Sequence, residues 1–498
     1  MTHLNHLLLE PATMNAVDRA AADSGIDMWR MMENAGAAIA STALREYPQA
    51  KRYVVLCGPG NNGGDGYVAA HFLHSSGAVV GVYRFGPSPN RGDAGRATAL
   101  WARTVEPIEA YEPDEGDVII DALFGAGLAR PLDSMLNALI DRCDAAALPV
   151  ISADLPSGID GRTGRFPAGS GQNARAFRAS HTVTFMTNKP GHVLLPGREY
   201  CGTVALFDIG IPKRVVLSRD QAMRINEPEL WKSSLRQASA SDHKYKRGHL
   251  CVFGGPATAT GAARLSAEAA LKMGAGAVTL LAPREALHVN AAHLTAVMLK
   301  ESSNETVESL VQDKRTSAFV LGPGFGVGDE TCHLALALAE KPLVLDADGI
   351  SSFSSNPETL FARLKQSACQ TILTPHEGEF SRLFADLADD ETLSKIDRAK
   401  SAAKRSNAVI IYKGADTVVA APDGRAYANI NGPPWLATAG SGDVLAGMCG
   451  ALLAQGVSTF EAAAAAVWLH ADTARTLGPG LTAETLASAV RPYQARAE

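Results

Sequence analysis

The chain has 498 residues, 46% of them hydrophobic and 20% charged, which exceeds one ordinary core and excludes disorder, collagen and coiled coil. Its 46 basic and 52 acidic residues leave a net charge of −6, so no summed positive field exists to hold a nucleic acid or an acidic membrane surface. The seven cysteines are scattered without a C-x-x-C pair, which excludes a disulfide framework or zinc knuckle and suits a reducing compartment.

The opening MTHLNHLLLEPA has no basic residue before its apolar patch and no cleavage site of small residues, so it does not read as a secretory signal. No run reaches the ~18–20 apolar residues of a membrane span, and a cytoplasmic protein is expected. From Met14 to Tyr47 the apolar spacing predicts one or two helices with Met28, Met31 and Met32 in the core. Short apolar runs at 53–57, 79–85, 117–124, 149–156, 181–185 and 203–209 then alternate with helical stretches, the pattern of a mostly parallel, doubly wound sheet.

Periodicity weakens between Pro212 and Lys246, where the polar run SSLRQASASDHKYKRG suggests a passage between domains near 225–240. A second alternation follows at 249–255, 277–283, 318–324, 342–349, 371–375 and 408–414, and APDGR at 421–425 reads as the turn of an appended β-hairpin. Two α/β domains, 1–225 and 226–498, are therefore expected, each a three-layer αβα sandwich and the first Rossmann-like. No short fixed period links them, which excludes a solenoid.

In the first half, GPGNNGGDG (58–66) stands between a strand and a helix, where backbone amides and a helix N-terminus can surround an anion. A glycine turn that only packs a helix on a sheet would not need its two asparagines and aspartate. The strand that should end in an acidic ribose ligand ends instead in Tyr83, Arg84 and Phe85, which disfavours a plain dehydrogenase, and Arg84 tolerates a phosphate. Asp121 and Asp154 sit at strand ends on the ligand-binding edge, with a helix N-cap as the alternative for either. Asn62, Asp121 and Ser157 would converge there as oxygen ligands for a hard cation.

ENAG (33–36), NNGGDGYVAA, DALFGAGLARP and ADLPSGID together resemble the NAD(P)HX epimerase domain over about residues 10–215. The resemblance implies binding of hydrated NADH or NADPH by Asn61, Asn62, Gly63, Gly64 and Asp65, by Gly125, Ala126, Gly127, Leu128, Ala129, Arg130 and Pro131, and by Asp154. It implies K+ at Asn62, Asp121 and Ser157, and Asp154 as the acid/base that interconverts the R and S hydrates. One positioned carboxylate can move such a proton in both directions.

In the second half, TAGSGD (438–443) runs into a helix, which sets amides and the positive helix end around a phosphate and Asp443 beside the transferring group. Such an aspartate can deprotonate a hydroxyl attacking phosphorus. Lys413 ends an apolar strand and can approach nucleotide phosphates. His376 is open between a loop or packing role and a ligand contact, and HEGEF lacks the second His of a zincin. No Walker A motif is present.

These motifs resemble the ribokinase-like superfamily, and GHLCVFGG, TGAARLSAEAALKMGAGAVTL, GPGFG, LDADG, LTPHEGEF, KGADT and TAGSGDVLAG narrow the match to the ADP- or ATP-dependent NAD(P)HX dehydratase over about 240–492. The resemblance implies substrate contacts at Ala262, at Gly324 or Gly326, at His376 and at Asp443. It implies adenine-nucleotide contacts at Lys413, Gly414, Ala415, Asp416, Thr417 and Gly442, Mg2+ on the phosphates, ADP as the donor in such a fusion, and a homo-oligomer. Asp443 would activate the hydroxyl of the S hydrate for phosphorylation, and loss of phosphate would restore the dihydronicotinamide. The expected protein is thus a bifunctional metabolite-repair enzyme. A ribokinase-type small-molecule kinase with an N-terminal nucleotide-binding regulatory module is the alternative, and a stable phosphorylated product would mark it; a third possibility keeps the first half as a non-catalytic binding domain.

Overall fold

The structure, a computed structural model, describes residues 4–237, 239 and 243–493, so residues 238 and 240–242 of the polar run lie outside the described residues. The chain divides into two compact units, the first ending at Met223 and the second starting at Arg224.

The first unit is built on seven strands, β1 (Arg52–Cys57), β2 (Val80–Arg84), β3 (Glu106–Pro107), β4 (Asp117–Ala122), β5 (Val150–Ala153), β6 (His181–Phe185) and β7 (Thr203–Phe207). They pair in parallel in the order β3-β2-β1-β4-β5-β6-β7. A parallel sheet covered on both faces needs apolar residues on both sides of each strand, which is why β1 reads as an unbroken run. Tyr53, Val55 and Cys57 enter the core under the helices Met28–Glu46 and Asn61–Ser75, while Val54 and Leu56 enter the opposite core with the helix Ser134–Ala145. The strand order reverses between β1 and β4, and the crevice at their C-terminal ends is where such folds bind ligands.

The second unit has ten strands: β8 (Met223–Ile225), β9 (His249–Phe253), β10 (Ala277–Ala282), β11 (Met298–Glu301), β12 (Thr316–Leu321), β13 (Leu343–Leu345), β14 (Thr371–Leu373), β15 (Val409–Tyr412), β16 (Val418–Ala420) and β17 (Ala426–Ala428). Their order is β11-β10-β9-β12-β13-β14-β15-β16-β17-β8. Pairing is parallel from β11 to β15 and antiparallel from β15 to β17, which realises the expected hairpin around the 421–425 turn. Leu250 and Val252 of β9 pack under the helices Gly261–Lys272 and Ser441–Ala454, and Phe253 meets Phe319. The two helices approach closely because Gly447 carries no side chain: a Cβ there would stand 2.1 Å from the Ser266 carbonyl oxygen. The order reverses between β9 and β12. This is a ribokinase-like αβα unit, and the first is a Rossmann-like one. Among the described residues no helix is long and apolar enough to cross a membrane. All seven cysteines are free thiols.

Candidate active sites

In the first unit the loops after β1 and β4 meet at the strand-order reversal. A Cβ on Gly58 would fall 1.8 Å from the Leu123 carbonyl oxygen, and one on Gly63 would fall 1.9 Å from that of Gly58. Beside this junction lies a cavity of about 280 Å3. Asn61, Asn62, Asp65, Gly125, Ala126, Gly127 and Asp154, all predicted from the sequence, line one side of it. Gly63, Gly64 and Leu128 are instead buried outside its lining, Gly64 against Met32, and Ala129, Arg130 and Pro131 are exposed away from it.

Met31 and Met32 are buried in the core, as expected, and half-buried Met28 packs against it; together with Met14 the three also form the opposite wall of the cavity. Their flexible thioether side chains make an adaptable apolar surface. Asp18 on the helix Pro11–Asp23 and Lys189 after β6 complete the wall. Neither was singled out from the sequence. The signal available for Lys189 was its place just past the apolar strand HTVTF, on the ligand-binding edge of the sheet. Arg84, thought of as phosphate-tolerant, has a buried Nε without a hydrogen-bond partner at the end of β2.

Asp154 occupies the left-handed region at φ +64, a position that surrounding contacts must enforce for a residue with a Cβ. Its Oδ1 accepts from Lys189 Nζ at 2.6 Å and Thr184 Oγ1 at 2.9 Å, and its Oδ2 from the Ala126 amide at 3.0 Å. His192 Nε2 donates to the Asp154 carbonyl at 2.7 Å, while its Nδ1 accepts from the Lys189 amide at 3.0 Å. Burial pushes the His192 pKa down to about 4, so the ring is neutral at pH 7. Burial pushes the Asp154 carboxyl up, but the Lys189 ammonium beside it outweighs burial and leaves it at about 2. Burial raises Asp18 to about 6, and burial with the charges of Asp154 and Asp18 holds Asp65 well above the usual carboxylate range.

Asp121 is fully buried at the end of β4. It accepts from Ser152 Oγ, from the Ser157 amide and hydroxyl and from the Leu123 amide, and burial raises it to about 6. Ser157 Oγ also joins the Phe124 amide and carbonyl, and Asn62 Oδ1 adjoins Gly125. The Asn62 Nδ2 is buried without a partner. A buried carboxylate with hydroxyl, carbonyl and amide oxygens around it and no basic side chain bonded to it suits a weakly polarising cation.

In the second unit the loops after β9 and β12 meet in the same way. Gly324, at φ +63, lies against Ala262, where a Cβ would stand 3.3 Å from the alanine Cβ. Gly326 donates its amide to Asp348 Oδ2 at 2.9 Å, so the two GPGFG glycines have different surroundings. Asp443 is the third residue of the helix Ser441–Ala454, entered through Gly440 at φ +87. Buried His470 donates from Nε2 to the Ser441 carbonyl at 2.9 Å and steadies this turn.

Around Asp443 gather groups from three strand ends. Lys413 Nζ, after β15, lies 2.7 Å from Asp346 Oδ1, after β13, and 3.9 Å from Glu379 Oε2. Thr374, after β14, donates to the same Asp346 oxygen. Gly442 adjoins this pair, since a Cβ on it would be 3.5 Å from Lys413 Nζ. Burial opposes the charge on Lys413, but Asp346, Glu379 and Asp443 outweigh it and raise its pKa. Burial, with the negative charge of Asp346, pushes Asp443 up to about 7 against Lys413. His376 caps the helix Glu377–Leu383, accepting at Nδ1 from the Gly378 and Glu379 amides, and its side chain is 55% exposed. Asp416 is tied to Lys395 at 2.6 Å, Thr417 Oγ1 donates to the Gly414 carbonyl, and Ala415 is exposed. Asp346 and Glu379 were present in quoted motifs but carried no assigned role.

A family model described as NAD(P)H-hydrate dehydratase matches residues 250–491, and one described as YjeF-related protein N-terminus matches residues 29–191. Proteins named bifunctional NAD(P)H-hydrate repair enzyme Nnr are similar along nearly the whole chain. That of Thermofilum pendens is 35% identical over 91% of this chain and 88% of its own length, and that of Gloeobacter violaceus 35% over 98% of each. The Escherichia coli protein is 32% identical over 92% of this chain and 87% of its own. An ADP/ATP-dependent NAD(P)H-hydrate dehydratase from Bacillus subtilis, crystallised with ATP and Mg2+, is 25% identical over 53% of this chain and 95% of its own, with a TM-score of 0.46. With both halves matched and similarity running almost end to end, this chain belongs to the family of bifunctional NAD(P)H-hydrate repair enzymes.

Proposed function

We propose that this chain performs both reactions of its family: the first unit interconverts R- and S-NAD(P)HX, and the second dehydrates S-NAD(P)HX to NAD(P)H at the expense of an adenine nucleotide. The observation that carries this reading is that both family matches lie in one chain and each contains a carboxylate cluster on the ligand-binding edge of its sheet. Residues 1–225 form the epimerase domain and 226–498 the dehydratase domain in this reading.

In the dehydratase, the amides at the start of the helix Ser441–Ala454 hold phosphate oxygens, with Gly442 nearest Lys413. Asp443 takes the proton of the substrate hydroxyl as that oxygen attacks the terminal phosphorus. Lys413, fixed by Asp346 and Glu379, offsets the charge gathered on the phosphoryl group, and Ala262 with Gly324 bounds the hydrate. The transfer breaks the terminal phosphoanhydride bond and releases AMP from ADP, or ADP from ATP. It turns a poor leaving group into a good one, and loss of phosphate together with a proton from the neighbouring ring carbon restores the dihydropyridine. Lys413 to Thr417 shape the nucleotide side, with Asp416 acting through its bond to Lys395, and His376 bounds the hydrate from its helix cap. Mg2+ bound with the nucleotide would neutralise charge on its phosphates.

In the epimerase, Asn61, Asn62 and Asp65 with Gly125 to Gly127 hold the hydrate against Asp154. Asn62, Asp121 and Ser157 would hold K+, which would supply a countercharge to Asp121. We read the protein as a cytoplasmic homo-oligomer with ADP as its donor. Purified S-NADHX with Mg2+ and either ADP or ATP tests the central step. One inorganic phosphate released per NADH regenerated is expected, and a stable phosphorylated product would favour the kinase reading instead.

A further inference from the structure

Two carboxyl groups of opposite character face the cavity of the first unit. Asp154 is held as an anion by Lys189 Nζ at 2.6 Å, with Thr184 and the Ala126 amide as further donors. Asp65, on the helix Asn61–Ser75, lines the same cavity, and burial, Asp154 and Asp18, with no hydrogen-bond donor or cation, are the influences on its carboxyl. The charged groups sharing its cavity are Asp18 on the helix Pro11–Asp23, Asp93 on the helix Gly92–Leu100, and Asp154 with Lys189 from the loops after β5 and β6. Lys189 is already spent on Asp154, so nothing nearby favours ionised Asp65, and burial beside Asp154 and Asp18 favours its acid form. Carboxyl groups driven to different protonation states in one site divide the acid and base roles.

The substrate needs such a division. Hydration of an enamine double bond places the hydroxyl on the carbon next to the ring nitrogen. Inversion there by C–O cleavage requires an acid for the departing hydroxyl and a base for the water that arrives on the other face. Resting on the epimerase reading of this unit, we infer that Asp65 is the proton donor and Asp154 the proton acceptor of an epimerisation that breaks and remakes the C–O bond, with Asp18, which lines the same cavity, a positioning residue. The Asp65 proton passes to the hydroxyl, the C–O electron pair leaves with oxygen as water, and the nitrogen lone pair forms C=N+. A water then bonds to the opposite face, returning that pair to nitrogen, and Asp154 takes the proton it releases. Transfer of this proton from Asp154 back to Asp65 through cavity water closes the cycle.

The test uses the full-length protein, Asp65→Asn and Asp18→Asn with resolved R-NADHX and K+ in 18O-labelled water, without nucleotide. The R to S ratio is read by chromatography and the label by mass spectrometry, each corrected for the spontaneous reaction. The parent protein should take up one labelled oxygen per inversion. Asp65→Asn should lose inversion and labelling together by ~100-fold or more, the scale of a missing general acid, while its nucleotide-dependent dehydration of the S form stays within about twofold and certifies the fold. The parent rate falls as pH rises through the Asp65 pKa. Asp18→Asn removes a negative neighbour, lowers that pKa and moves the fall to lower pH, a shift that a purely structural loss would not produce. Inversion by Asp65→Asn at the parent rate, or inversion by the parent without labelling, overturns the inference. A parent protein that does not invert the hydrate at all removes the epimerase reading itself, and this inference with it.

Discussion

Lys189 and Asp154 form a pair in which each side chain is largely removed from water, with 3% and 19% of their surfaces exposed. Taking away the lysine leaves a carboxylate with little solvent and no countercharge, so Lys189→Met should destabilise the first unit by ~3–5 kcal/mol in chemical denaturation. The double variant Lys189→Met with Asp154→Asn should recover part of that loss, because no charge is then stranded. Asp443 yields a pH prediction. Burial and Asp346 raise its carboxyl to about 7, and a base works only when ionised, so dehydration at saturating substrate should climb with pH through about 7 and then level. Asp346→Asn removes the like charge and should move the climb to lower pH. Asp154 and Asp443 were legible in the sequence because each sits in a glycine-flanked motif at a strand or helix boundary. Lys189, His192 and Asp18 were not, since they lie 35 and 38 residues after Asp154 and far before it, and only the folded sheet edge joins them. Met28, Met31 and Met32 belong to the core as their spacing predicts, but that spacing did not show that they also line the cavity, because helical apolar spacing looks the same in both cases.

At the scale of elements, the helices Gly261–Lys272 and Ser441–Ala454 hold the second site in place through backbone-to-backbone approach at Gly447. A methyl group there would meet the rigid Ser266 carbonyl oxygen at 2.1 Å, not a side chain that can turn away. Gly447→Ala should therefore lower the stability of this unit by ~1–3 kcal/mol, read from its urea midpoint, and slow dehydration by shifting the turn that carries Asp443. The apolar runs mark the buried parallel strands closely, from β1 at 52–57 to β15 at 409–412, because strands covered on both faces carry continuous apolar side chains. Strands with partners on few sides leave no such trace. The two-residue β3 is exposed, β11 alternates exposed and half-buried residues, and β8 emerges from the stretch read as losing periodicity, where it joins the second sheet beside β17.

At the scale of the whole chain, the two reactions are complementary: one uses only the S form, and the other converts the remaining R form into it. Each depends on residues of its own unit, so single substitutions should separate them. Asp443→Asn should abolish dehydration and leave interconversion of the hydrates, whereas Asp154→Asn should do the reverse, as chromatography of R and S forms would record. The most direct measurement gives the pure protein a mixture of R- and S-NADHX with Mg2+, K+ and ADP or ATP, and follows the return of reduced-nicotinamide absorbance. Recovery of the entire mixture at an enzymatic rate is the predicted result, and the nucleotide that supports it names the donor. Recovery that halts once the S form is consumed would contradict the bifunctional account.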